Sequence, residues 1–83
     1  MSTEAVAPAD LLAYTLQRRP EIGQRIRAVR SSKNWTQERT ANYLGCSRRR
    51  VNRVERGLTD FTIFELELLA QVFEVSLADF LRR

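Results

Sequence analysis

Histidine is absent from this 83-residue chain, and cysteine and tryptophan occur once each. Without histidine the chain lacks the side chain most often used as a general base and as a metal ligand. With Cys46 as the only thiol, an internal disulfide is impossible and a zinc site is nearly excluded. The glycines number three and are scattered, so no glycine-rich phosphate loop can form. No two carboxylates are spaced to face one another, and an enzyme is therefore not expected, nor a cofactor. No apolar run approaches the ~20 residues of a membrane span. Residues 1–10 are acidic and lack a basic-then-apolar signal pattern, which points to the cytoplasm. No stretch alternates apolar and polar residues as a strand would.

What the chain has in quantity is arginine, and its distribution matters more than the formal net charge of +4. Residues 18–56 hold twelve Lys/Arg against three Asp/Glu, whereas residues 57–83 hold two against five and residues 1–17 carry only Glu4 and Asp10. A basic centre between less basic flanks is the electrostatic footprint of a polyanion binder. The alternative is a merely solvated surface. A chain of this length makes one domain, and it buries only about 60% of the surface exposed when unfolded. Help from a partner subunit is therefore expected.

Helical punctuation divides the chain into an N-terminal extension (1–19) and a core (20–83). Residues 1–8 are expected to be disordered. Residues 9–19 form a short amphipathic helix, with Leu12 and Leu16 one turn apart and Pro8 at its start, or else an extended arm. Pro20 opens the next helix, which runs to about Ser32 with Ile22, Ile26 and Val29 inward. Asn34 takes the left-handed conformation after it. Thr36 caps a helix over 37–44 with Ala41 and Leu44 inward; Gly45 reverses the chain; Ser47 caps a helix over 48–56 that Gly57 ends. After a loop at 58–61, Thr62 and Glu65 make a capping box. The helix behind it has Ile63, Leu66, Leu69, Ala70 and Phe73 inward. A second box, Ser76 with Asp79, opens a short last helix with Leu77, Phe80 and Leu81. The fold class is all-α: a compact bundle of five helices, with a sixth in front if the extension is helical.

The helix over 48–56 is the candidate site. At 100° per residue Arg48, Arg49, Asn52, Arg53 and Arg56 share one broad face, and Val51 and Val54 point away from it. Arginine donates two parallel hydrogen bonds to guanine and asparagine does the equivalent for adenine, so the face suits base edges in the major groove of double-stranded DNA. A solvated helix face is the alternative, but such faces mix signs to form i,i+4 pairs; residues 47–57 contain five Arg and one Glu.

Ile22-Gly-Gln-Arg-Ile-Arg-Ala-Val-Arg30, Trp35-Thr-Gln-Glu38, Ala41, Leu44-Gly45, Ser47, Val51, Val54-Glu55-Arg56-Gly57, Leu66, Leu69-Ala70 and Val75-Ser76-Leu77 stand in an order and spacing that resembles the lambda-repressor-like, Cro/XRE-type helix-turn-helix domain. The resemblance implies roles. Arg48, Arg49 and Arg53 fall where family members reach base edges, and Asn52 is placed to serve either a base edge or a phosphate. Gln37, Ser47, Arg50 and Arg56 fall where phosphates are held, Gln37 through its side chain and the helix N-terminus. Arg30 and Glu55 match a salt bridge between the first and third core helices, a role that a lone acid on an arginine-rich face also suggests. Three residues depart from the pattern. Thr40 stands where a large aliphatic is common, so packing there is looser or is compensated by Trp35 and Tyr43. Cys46 replaces a valine, as a small core filler. Phe61 replaces a frequent proline and anchors its loop. Trp35 is expected in the core.

One such motif spans few base pairs, and family members commonly dimerise on two half-sites. Phe64, Leu68 and Val72 form a second apolar stripe on the fourth core helix, and a helix apolar on two sides is buried on two sides. A homodimer through that stripe is expected, unless residues 9–19 cover it. The function implied is a sequence-specific transcriptional regulator, a repressor reading a palindromic operator, with polymerase as a protein partner. The alternative is an antitoxin that binds a toxin protein, for instance through the N-terminal segment, and autoregulates.

Overall fold

A computed structural model of the chain describes the backbone of residues 8–82 and the side chains of residues 16–82. The expectation of disorder at the N-terminus falls on residues 1–7, outside the described residues, and residue 8 belongs to a helix. Five helices follow one another: α1 (Pro8–Ser32), α2 (Gln37–Leu44), α3 (Arg48–Glu55), α4 (Ile63–Phe73) and α5 (Ala78–Leu81), with no strand among the described residues. None of the helices is long and apolar enough to cross a membrane.

The first correction concerns α1. It is one helix of 25 residues with Pro20 inside it, not two helices meeting at a proline. A proline within a helix removes one N–H and crowds the carbonyl four residues back, at a cost of about 3 kcal/mol. Here that carbonyl belongs to Leu16, an exposed residue where water can serve it. Contacts on either side of Pro20 offset the remainder. Arg18 donates to the Leu81 carbonyl of α5, and Arg19 forms a two-pronged pair with Asp60 at 2.8 and 2.9 Å. Downstream, Ile22, Ile26 and Val29 pack into the core. Pro20 itself lies against Gly57, whose φ is +76° and whose missing Cβ would stand 2.7 Å from the proline nitrogen. Gly57 thus ends α3 and at the same time admits α1 to close contact.

The turn after α1 uses Asn34 at φ +61°, and the Trp35 N–H returns to the Arg30 carbonyl at 3.2 Å. Trp35 meets Phe73 and Tyr43 edge-to-face, at centroid distances of 5.2 and 5.7 Å. Thr40 is fully buried. Its hydroxyl donates to the Thr36 carbonyl at 3.0 Å, so the polar atom is satisfied at a position that suits an aliphatic residue. Cys46 packs at the core's edge, and Phe61 is buried as the anchor of its loop.

Along α4 the core face is Leu66, Leu69, Ala70 and Phe73. Ile63 does not join it, and this is the second correction. As the first residue of the helix it stands beside the capping turn, 58% exposed. The capping box of Thr62 and Glu65 is complete. The second box is not. The Asp79 carboxylate accepts from the Ser76 N–H at 2.9 Å, but α5 starts on Leu77 in helical conformation, without a side-chain cap. Bonds of the i→i+3 type open it instead, from Asp79 N to Ser76 O (3.0 Å) and from Phe80 N to Leu77 O (3.1 Å). Phe80, wholly buried, seats this short helix.

Candidate nucleic-acid interface

α2 and α3 meet around Gly45 at φ +73°. A non-glycine residue is strained there, and Gly45 lets the Cys46 N–H return to the Ala41 carbonyl at 3.0 Å. Thr36 caps α2 by accepting from the Arg39 N–H at 3.0 Å, and Ser47 caps α3 by accepting from the Arg50 N–H at 3.1 Å. Each cap satisfies one of the free donors at a helix start. The Ser47 O–H remains able to donate outward.

α3 is two-sided. Val51, Val54 and Glu55 are buried, while Arg48, Arg49, Arg53 and Arg56 are exposed and Asn52 is half-buried. None of these four arginines forms an ion pair with a described residue. Four guanidinium groups on one surface, none in an ion pair with a described residue, repel one another and raise the local potential, which an anion relieves.

Behind this face lies a buried ion pair. Glu55, with its side chain 2% exposed, accepts from Arg30 Nε at 2.6 Å and Nη2 at 3.0 Å, and from the Gln37 amide at 3.0 Å. Arg30 also donates to the Trp35 carbonyl at 2.6 Å. One carboxylate therefore joins α1, α2 and α3. Gln37 starts α2 as expected, but one of its amide hydrogens is committed to Glu55; the other hydrogen and the amide oxygen are left for a phosphate. Arg27, Arg30, Gln37, Asn52, Glu55 and Arg56 line one open polar cavity of about 510 Å³. Arg27, exposed on α1, lines this cavity and was not among the expected site residues. The signal was available, since Arg27 stands one helical turn before Arg30, which pairs with α3.

Arg50 stands apart from these arginines. Expected to hold a phosphate, it turns back onto α4, where its guanidinium meets both carboxylate oxygens of Glu65, with Nη2 to Oε1 at 2.7 Å. It also donates to the Asp60 carbonyl at 3.3 Å and lies 5.1 Å over the Phe61 ring. Arg50 lies near the α4 side of α3, and a partner fifteen residues away leaves no trace in local periodicity. The pair raises the Arg50 pKa above its ordinary value, through the hydrogen bond to Glu65 first, against the opposing effect of burial. The Glu65 carboxyl is held below its usual 4.5 by the Arg50 hydrogen bond, with a smaller part from the Thr62 N–H. A carboxyl lowered by folding stabilises the fold above its unfolded pKa, and that contribution is lost as pH falls through the lower, folded value. Thermal unfolding of the Glu65→Gln variant is therefore expected to differ most from the parent at neutral pH, with the difference shrinking as pH falls below about 4.5. A difference that persists undiminished at pH 3 would contradict the assignment.

A helix-turn-helix family model matches residues 26–80. Among solved structures, the restriction-modification controller protein C.AhdI from Aeromonas hydrophila superposes with a TM-score of 0.69 at 28% identity, over 77% of this chain and 97% of that one. A helix-turn-helix transcriptional regulator from Vibrio cholerae superposes with a TM-score of 0.67 at 26% identity, over 78% of this chain but only 36% of the longer protein. No curated protein matches the chain. With the motif, the five-helix fold and a family match over most of its length, the chain belongs to the Cro/XRE-type helix-turn-helix family, and it is a DNA-binding transcription regulator rather than an enzyme.

Proposed function

We propose that the chain is a homodimeric repressor that acts in the cytoplasm and reads a palindromic operator with one α3 helix in each of two major-groove segments. The observation that carries this reading is the exposed, acid-free arginine face of α3 opposite its buried valines. In it, Arg48, Arg49, Asn52 and Arg53 meet base edges. Gln37, Ser47 and Arg56 hold phosphates, with Arg27 added and Arg50 withdrawn. The Arg30–Glu55 pair orients α3 from behind. The likeness to a controller protein supports regulation over toxin neutralisation.

The dimer contact in this proposal is the stripe of Phe64, Leu68 and Val72. Phe64 is 65% exposed, the most exposed large apolar side chain among the described residues, while Leu68 and Val72 are half-buried beside it. Residues 9–19 remain the rival cover for that stripe.

Selection from a random DNA pool, with the mass of the protein measured in solution, tests the whole reading. A two-part palindromic consensus and a dimer mass are expected. In the same assay Arg49→Ala or Arg53→Ala should relax preference at defined positions by about five- to a hundred-and-fiftyfold, the worth of one bidentate base contact. Gln37→Ala and Arg56→Ala should weaken all sequences alike. Unaltered base preference in both Arg49 and Arg53 variants would refute the assignment of α3, and a dimer that survives Phe64→Glu would refute the stripe.

A further inference from the structure

We propose that the Arg50–Glu65 pair is a positioning strut that fixes the angle between α3 and α4, and so sets the half-site spacing that the dimer accepts. The inference rests on the proposed dimer through α4 and adds to it a specificity determinant that touches no DNA.

Arg50, Arg49 and Arg48 are consecutive, yet among described residues only Arg50 has an acidic partner. Its planar fork meets both oxygens of one carboxylate, the arrangement that constrains direction as well as distance. Both ends of the strut are themselves held. Glu65 Oε1 also accepts the Thr62 N–H at 2.8 Å, so the carboxylate that receives Arg50 is the one that caps α4. The guanidinium is supported beneath by the Phe61 ring. Asp60, whose carbonyl accepts from Arg50, uses its carboxylate to grip Arg19 of α1. The loop at 58–61, otherwise a natural hinge between α3 and α4, is thereby pinned from both sides. Glu65 follows Phe64 directly, which places the strut's anchor beside the proposed dimer stripe.

Small angles matter at this lever. A tilt of about 15° moves the far end of an eight-residue helix by about 3 Å, nearly the rise of one base pair. In a two-fold dimer any such tilt acts on both half-sites, so loosening the strut changes how far apart they can be without changing which bases each α3 prefers.

The test uses the two-part sequence enriched by the parent chain, rebuilt with its halves moved apart or together one base pair at a time, and also one half-site alone. The proteins are the parent, Glu65→Gln, Arg50→Gln and the double variant. Glutamine at position 65 keeps the capping box, so α4 retains its start. The parent is expected to prefer one spacing by about tenfold over its neighbours, and each single variant to reduce this to about twofold, with no further loss in the double variant. Affinity for the single half-site and the base preference should stay near the parent's. If Glu65→Gln does not fold, Arg50→Lys keeps both the charge and the cap but loses the fork, and carries the same expectation. An unchanged spacing profile in folded variants overturns the proposal. So does a general tightening by Glu65→Gln, which would mean that the freed Arg50 is a phosphate ligand. A parent chain that enriches no two-part sequence overturns the functional reading itself, whereas an enriched parent with indifferent variants overturns only the strut.

Discussion

Replacing Glu55 with alanine is expected to destabilise the domain by about 3–5 kcal/mol, the cost of leaving a buried charge without its partner. The side chains of Arg30 and Glu55 are 11% and 2% exposed. Without the carboxylate, Arg30 keeps only the Trp35 carbonyl, and the Gln37 amide loses its acceptor. A domain of this length has about 4–12 kcal/mol of total stability, so the change removes a large share of it. Urea denaturation measures the effect directly. Replacing both partners, as in Arg30→Met with Glu55→Leu, should recover most of the loss, because apolar residues of similar volume avoid the desolvation of two ions. DNA affinity is not expected to recover with stability, since only the ion pair holds α1, α2 and α3 to one carboxylate. A single Glu55→Ala variant that loses less than about 1 kcal/mol would place the pair among ordinary surface bridges and remove its orienting role.

Local chemistry made most of the fold legible in advance. Thr36, Ser47 and the Thr62–Glu65 box cap their helices as helix-start chemistry demands, and the left-handed conformations fall on Gly45, which has no Cβ to clash, and on Asn34, whose side chain tolerates them. These signals lie within a few residues of the structure they specify. The errors arose where distant contacts override local preference. Pro20 marks a helix start on propensity, yet the helix continues through it, with Arg18, Arg19 and Gly57 making contacts on either side. Ile63 fits the apolar period of α4, yet it sits at the helix entrance, where the core has not begun. Gly23 carried no local signal at all, but a Cβ there would collide with the backbone at Val54 and Glu55, so it governs how closely α1 approaches α3. The site divides the same way. That α3 has a buried valine side and an exposed arginine side is readable from spacing. That Arg50 belongs to Glu65 is not, because the acid lies across a loop on another helix.

Binding is expected to weaken by about 10³- to 10⁴-fold when salt rises from about 50 to about 200 mM, with a log–log slope near −6 for a dimer that neutralises about seven phosphates. The basis is the twelve Lys/Arg against three acids in residues 18–56 and the acid-free arginines on α3. Each cation that meets a phosphate releases a condensed counterion, and the slope reports how many do so. It also separates roles that a bare affinity would confuse. Arg56→Ala or Arg27→Ala should make the slope shallower by about two, because each protomer then leaves one phosphate unneutralised. Gln37→Ala should lower affinity without altering the slope, because a neutral amide releases no ion. Arg50→Gln should also leave it unchanged, since that charge is already balanced by Glu65. A monomer on one half-site would show about half the slope, and a response flat in salt would mean that the arginine face meets something other than a phosphate backbone.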